Sequence, residues 1–333
     1  MARSVLSRRL ASLSEETSWL RYVGWLVDGP VMLLFWGVCA VLPPQVASRM
    51  GAAVLGFFGP RTHKHKHVLA NLTVALRGAT PAEIAVHARA VWRGLGMVMA
   101  EYPHLARIGR TRMTVHIAPA AAAVFNSGKR AIFVTAHVGN WELGAPAITQ
   151  SGAALAAIYS KQSNPLADWA IQRCRSVFAC EYLPKENAMR AWLRMGNDGP
   201  SLALMVDQRV DGGELMPFFG IEGETVTTPA RLAARTNVPL IPFRIIREGF
   251  ARYSVQFEDP ISRPDGSDAA ALMMRALLKR FEAWIRERPD EWMCTKRRWP
   301  KQRGGLAQEG HEQRGSTQSE QRQGGADDVS DQP

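Results

Sequence analysis

The sequence is short of the features that mark several common kinds of chemistry. It has four cysteines in 333 residues, Cys39, Cys174, Cys180 and Cys294, with no CxxC pair and no metal-ligand spacing among them. That argues against a disulfide framework or a zinc site and fits thiols kept reduced. No GxSxG elbow supplies a serine nucleophile, and no HExxH or related spacing supplies a catalytic zinc. A run of about 20 apolar residues, the length a spanning helix needs, is also missing. The most apolar stretch, residues 22–42, is interrupted by Asp28-Gly29-Pro30, which leaves a clean run of 12 residues from Val31 to Leu42. Arg3, Arg8 and Arg9 precede it as in a signal peptide, yet no small-residue cleavage site follows. No internal repeat is visible.

What the sequence does have is positive charge and apolar surface. The formal net charge is +11 and 46% of the residues are hydrophobic, enough for a sizeable core. From Lys301 onward there are four basic and six acidic residues, net −2, which leaves +13 on the rest. Such a body suits an anionic partner: nucleic acid, an acidic membrane surface, a phosphorylated lipid or an acidic protein. No nucleic-acid-binding motif accompanies the charge, so nucleic acid is not an expected partner. Trp19, Tyr22, Trp25 and Trp36 add the amphipathic aromatics that favour bilayer boundaries, and Leu55, Phe57 and Phe58 extend the apolar surface. Residues 1–44 therefore read as an N-terminal segment carrying a membrane anchor or an interfacial helix, a buried core helix being the alternative. His63, His65 and His67 alternate with Lys64 and Lys66, which puts cations where a metal would sit. That stretch reads as a solvated or phosphate-facing basic segment, and no metal is expected there.

Pro43-Pro44 breaks the chain, and helical patterns follow to about residue 105, one opening at Pro81-Ala82-Glu83. From Met113 the pattern changes. TVHI, AIFVTA, ALAAIY, SLALMV, LIPFRII and YSVQF read as strands, with helices between them at 164–178 and 187–195. The alternation predicts an α/β fold, a mostly parallel sheet flanked by helices. Residues 268–286 form a closing amphipathic helix with Leu272, Leu277, Phe281 and Trp284 at helical spacing. The expected domain runs over residues 45–302. The Gln/Gly/Ser/Glu-rich tail at 303–333 lacks apolar anchors and is expected to be disordered.

The chemical centre lies in AIFVTAHVGNWEL. A β-branched and aromatic run ends at His137, Gly139 and Asn140 make a turn, and a helical pattern resumes at Trp141. His137 thus belongs at the carboxyl end of a strand, where open α/β sheets bind their ligands. On one continuous helix, positions five apart point about 140° from each other and cannot pair. Across a strand-to-helix turn, Glu142 can swing back under the imidazole, fix its tautomer and make His137 a general base for a hydroxyl. A structural His beside a Glu is the plainer alternative. With no enzyme nucleophile in sight, a histidine base suits direct transfer from a donor to an acceptor hydroxyl.

HVGNWELGA, IYSKQSNPLADW, MVDQRVDGGELMPFFG, TTPARLAARTNVPLIPF and PDEWMCTKRRW occur in that order, and together they resemble the bacterial lipid A biosynthesis acyltransferases, the late lauroyl- and myristoyl-type enzymes. The likeness extends from about Leu42 to Trp299. It implies a glycerolipid-acyltransferase-like fold held at the cytoplasmic face of the bacterial inner membrane. It implies a donor thioester, usually acyl carrier protein with acyl-CoA as the other choice, and as acceptor a hydroxyl on an acyl chain of a phosphorylated disaccharide lipid, a lipid A precursor. By the same resemblance His137 is the base, Glu142 its partner and Asp207 a further site residue with Gln208 beside it. One departure stands out. The family pattern has an arginine just before the Asn-Pro, whereas here Ser160 follows Tyr159 and Lys161 comes next. Lysine supplies the charge but not the bidentate fork, which leaves the acceptor open.

Other residues carry paired readings. Asp207 and Gln208 close an apolar strand and form a site edge or a turn cap. Phe218-Phe219-Gly220 is wall, lining an acyl slot or packing the core. Thr227, Thr228 and Pro229 look like a helix start whose free amides would suit an anion. Arg297 and Arg298 would meet lipid phosphates or form a solvated cluster; Arg231, Arg235 and Arg244 are equally open. Asn140, Lys161, Gln208, Thr227, Thr228, Arg297 and Arg298 are the expected substrate-side residues beside His137, Glu142 and Asp207. No metal or tightly held cofactor is implied. The rivals are an acyltransferase with a lysophospholipid, amino-acid lipid or glycolipid acceptor, and a non-catalytic membrane-surface binding protein.

Overall fold

The computed structural model of the chain describes residues 18–300. Arg3, Arg8, Arg9, the side chains of Trp19 and Tyr22, and the expected tail at 303–333 lie outside the described residues.

Among the described residues five α-helices precede the sheet: α1 (Ser18–Val41), α2 (Pro44–Phe58), α3 (His65–Ala75), α4 (Pro81–Glu101) and α5 (Leu105–Thr111). The break at Pro43-Pro44 falls between α1 and α2 as expected, Pro44 opening the helix where its missing N–H costs nothing. Asp28-Gly29-Pro30, by contrast, does not interrupt α1. A Cβ at Gly29 would stand 2.8 Å from the Leu166 side chain, so the glycine lets α1 pass close to the Asn164–Leu166 segment. The Asn164 amide donates to the Trp25 carbonyl there (3.1 Å). Trp36 is buried, with its indole donating to the Met99 carbonyl (2.8 Å) and its ring stacked on Tyr102. It therefore faces the core and not a bilayer boundary. Among the described residues no helix is long and apolar enough to cross a membrane. Helix α4 starts from a complete capping box, Thr80 with Glu83. It crosses α2 where Gly51 meets Gly96: a Cβ on either would lie within 2.1 Å of the other's carbonyl oxygen.

The sheet follows. Its strands are β1 (Met113–Ile117), β2 (Ile132–Thr135), β3 (Leu155–Tyr159), β4 (Cys180–Pro184), β5 (Ser201–Met205), β8 (Leu240–Gly249) and β9 (Arg252–Phe257). Their order is β1-β9-β8-β2-β5-β3-β4, and every neighbouring pair is parallel except β8 with β9. All six strands expected from the sequence are present, and β4 is an addition. A separate antiparallel hairpin, β6 (Glu214–Phe218) with β7 (Ile221–Thr225), was also not expected. Helices α6 (Pro119–Asn126), α7 (Gly144–Gln150), α8 (Pro165–Arg175), α9 (Ala188–Arg194), α10 (Thr228–Thr236) and α11 (Ala269–Glu287) connect and flank the strands. Strand β2 is buried along its whole length, as a central parallel strand must be. Helix α11 buries Met273, Met274, Leu277, Leu278, Phe281, Trp284 and Ile285, whereas Leu272 is exposed, so its inward stripe lies one residue further round than the sequence spacing suggests.

Candidate active site

Parallel register brings the two main residues together. Thr135 on β2 pairs with Met205 on β5, and each chain runs on two residues past that pair, to His137 and to Asp207. The Asp207 Oδ1 atom lies 2.6 Å from His137 Nδ1. Asp207 is buried, while the imidazole keeps 18% of its surface accessible, so the pair presents its histidine end outward. Asp207 Oδ2 accepts from the Trp292 indole (3.0 Å). Burial pushes the Asp207 carboxyl up, but the charge and hydrogen bond of His137 and the Trp292 N–H outweigh it and hold the group below the ordinary carboxylate value. Gln208 places its amide nitrogen 3.2 Å from His137 Nε2. With Nδ1–H donated to Asp207, Nε2 is the acceptor atom, the one a general base uses.

Glu142 does not lie under the imidazole. It is buried and held in bidentate fashion by Arg175, Nε to Oε2 at 2.8 Å and Nη2 to Oε1 at 2.6 Å. Tyr102 Oη (2.8 Å) and Trp141 Nε1 (3.1 Å) also donate to it. Burial raises the Glu142 carboxyl, yet the Arg175 charge and these donors together keep it below its ordinary value. Its link to the base is indirect, through Trp141, whose ring stands edge-on to the imidazole at 5.5 Å. The reason for the difference is geometric. The turn after β2 carries Glu142 into the short helical turn Trp141–Leu143, whose side chain points towards α8, whereas β5 delivers Asp207 alongside His137.

The turn itself is tightly specified. Gly139 has φ +58, and a Cβ there would fall 2.2 Å from the Ile245 carbonyl oxygen. Asn140 caps the next turn through Glu142 N and donates to Glu101 (2.9 Å). Glu101 is fully buried and also takes Ser48 (2.6 Å), Arg247 (2.7 Å) and Tyr253. Asn140 is thus a buried brace of the turn that follows His137. This network lay beyond sequence reasoning, because its five members come from four separate segments, Arg247 and Tyr253 sharing the β8–β9 hairpin.

The remaining substrate-side residues spread out. Lys161 is exposed, and the guanidinium that does reach the site is Arg175 at the end of α8. Thr227 precedes α10 without a side-chain cap, since its hydroxyl goes to Glu214 (2.5 Å); Thr228 is half-buried in the first turn. Arg298 is buried, donating to the Glu224 carbonyl (3.0 Å) and to Thr225 Oγ1 (2.5 Å), so it braces β7 and is not an open phosphate ligand. Burial brings its pKa down to about 10. Arg297 is half-buried beside His67; burial first, then Arg297, Lys66 and Lys64, lower that imidazole's pKa. Phe218 and Phe219 are buried around Trp292 and Trp299. Phe219 also borders a concavity of about 690 Å³ lined in addition by Val74, Leu76, Arg77, His87 and Arg286. Among the described residues no group of three or more His, Cys, Asp or Glu is placed to hold a metal ion.

The sequence profile described as bacterial lipid A biosynthesis acyltransferase matches residues 13–301. The chain belongs to that family. The family membership makes it a lipid acyltransferase, a kind of enzyme that uses an acyl donor and a lipid acceptor. No curated protein matches the chain. Among solved structures it is similar to the 1-acyl-sn-glycerophosphate acyltransferase PlsC from Thermotoga maritima, at 13% identity and a TM-score of 0.35, covering 74% of this chain and 99% of that one.

Proposed function

We propose that the chain transfers a fatty acyl group from a thioester, carried by acyl carrier protein, to a hydroxyl of a phosphorylated lipid A precursor at the inner face of the bacterial inner membrane. The observation that carries this reading is the His137–Asp207 pair, buried at its carboxylate end and open at His137 Nε2. Nε2 takes the proton of the acceptor hydroxyl as its oxygen attacks the thioester carbonyl. Asp207 holds the tautomer and stabilises the imidazolium that results. The Gln208 amide, aimed at the same spot, is placed to donate to the acceptor oxygen as it approaches or to the oxyanion that forms. Collapse of the tetrahedral intermediate expels the thiolate, which takes back the proton from His137. Glu142 with Arg175 holds Trp141 against the imidazole, a supporting place in the same machinery.

Two features support the setting. The α1 side chains Val31, Leu34, Val38 and Val41 are exposed on one side, and Phe57 and Phe58 at the end of α2 are exposed as well. Arg61 lies over the Phe57 ring at 3.9 Å, and Lys66 follows close in sequence. Apolar side chains next to cations suit a helix lying in the interface of an anionic bilayer. The body charge suits an acidic carrier protein and a phosphorylated acceptor.

The test is transfer of a labelled acyl group from acyl carrier protein to a tetra-acylated lipid A precursor, run beside lysophosphatidic acid and a lyso-ornithine lipid. Transfer to the lipid A precursor alone supports the reading. Transfer to another acceptor alone overturns it while leaving the chemistry of the pair in place.

A further inference from the structure

We propose that Trp292 is a positioning residue for the base: its indole N–H fixes the Asp207 carboxylate that orients His137. This rests on the reading of His137 as base. Each Asp207 oxygen has one side-chain partner, Oδ1 facing His137 Nδ1 at 2.6 Å and Oδ2 accepting from Trp292 Nε1 at 3.0 Å. Without the second, Oδ2 loses its side-chain donor and the carboxylate is held only from the His137 side, through the ring and the His137 backbone N–H. A neutral donor holds Oδ2 without adding charge beside a base. The Arg298 guanidinium, which lies near Asp207, is committed to the Glu224 carbonyl and Thr225.

Three further observations set Trp292 apart from ordinary core. It is 1% exposed yet directs its one polar atom at the pair. Its own segment pairs with the turn that carries the histidine, Met293 N donating to the His137 carbonyl (2.8 Å) and Gly139 N to the Glu291 carbonyl (3.1 Å). The same short segment therefore ties the end of β2 to the end of β5. Its ring is also clasped by Phe218, Phe219 and Trp299 at centroid distances of 6.2, 6.2 and 6.4 Å. Phe219 holds a positive φ of 53 at the tip of the β6–β7 hairpin, an unfavourable conformation for a bulky residue, and its N–H is fixed by Glu282 (2.6 Å). The hairpin thus presses on the back of the indole.

The groups that face Asp207 are His137 from the end of β2, and Cys294, Lys296 and Arg298 from the segment after Trp292. Replacing Trp292 by Phe keeps ring and volume and removes the N–H alone. The carboxylate then keeps more of its charge for the imidazolium, so the pair holds its proton to higher pH. Trp292→Phe is expected to lower kcat about tenfold, the scale of one lost hydrogen bond. KM is expected to stay as it was and the acid limb of the pH–rate profile to move upward. A purely structural role leaves that limb in place. In the Asp207→Asn background the same substitution is expected to add little.

The experiment pairs that kinetic profile with the Trp292 indole ¹H–¹⁵N resonance of the full chain in detergent, assigned by its loss in Trp292→Phe or Trp292→Tyr. The resonance is expected to titrate with the pair in the wild type and to stop doing so in Asp207→Asn. An unmoved acid limb with undiminished kcat overturns the proposal, although wild-type transfer then leaves the assignment of the base standing. If the wild type transfers nothing, the resonance decides alone: titration abolished by Asp207→Asn supports the positioning contact, and an indifferent resonance overturns it.

Discussion

Two carboxylates flank the site, and their surroundings assign them different work. Asp207 has a histidine on one oxygen and an indole on the other; Glu142 has a guanidinium, a phenol and an indole. Removing the Glu142 charge leaves Arg175 buried without its counter-ion, so Glu142→Gln is expected to cost about 3–5 kcal/mol in denaturant melts. Its effect on transfer by the protein that remains folded should be modest. The Glu142 carboxyl sits lower in the fold than in the unfolded chain. Its contribution is therefore complete above the unfolded carboxylate value of about 4.3 and is lost as pH falls through the lower, folded value. Melts of wild type against Glu142→Gln between pH 7 and 3 check this: the difference between them should shrink as the pH falls below about 4.

At the scale of elements, two close approaches set where the site can form. Helices α2 and α4 cross with Gly51 on Gly96 in backbone contact, and α4 ends at Glu101, the buried acceptor of the Asn140 brace. Gly96→Ala forces those helices apart and is expected to lower the melting temperature by several degrees, the response to about 1–3 kcal/mol of overpacking. Transfer should fall with it, because the catalytic turn hangs from Glu101. On the other side of α1, Leu34→Glu with Val38→Glu is expected to weaken co-sedimentation with anionic vesicles while leaving the melt unchanged. Equal binding by that variant contradicts the interfacial reading of α1.

For the whole molecule, six strands and a mostly parallel sheet were legible because each of those strands is a short apolar run bounded by turn residues, whereas the order of the strands was not. The placement of His137 at a strand end followed directly. The partner of His137 was harder, since sequence proximity favoured Glu142 and only the β2–β5 register singles out Asp207. Arg175 gave no signal, as a basic residue in the last turn of a helix is commonplace. Trp292 lay in a motif whose resemblance was visible but whose hydrogen bond was not. Strand β4 and the β6–β7 hairpin were missed because Cys, Glu, Gly and Pro interrupt the usual strand pattern. The charge asymmetry, +13 against −2 in the tail, belongs to this scale too. Raising salt from about 50 to 300 mM shortens screening from roughly 14 to 6 Å. KM for acyl carrier protein should therefore rise, and KM for a neutral acyl-pantetheine donor should not.

The most direct test of the central claim, that His137 acts as base on the strength of Asp207, is the transfer rate of Asp207→Asn measured against wild type and His137→Ala. An asparagine keeps the size and fixes the wrong tautomer, so the rate is expected to fall by about 10²–10⁴, close to the His137→Ala floor, in a protein that still folds. A rate near that of the wild type would contradict the account.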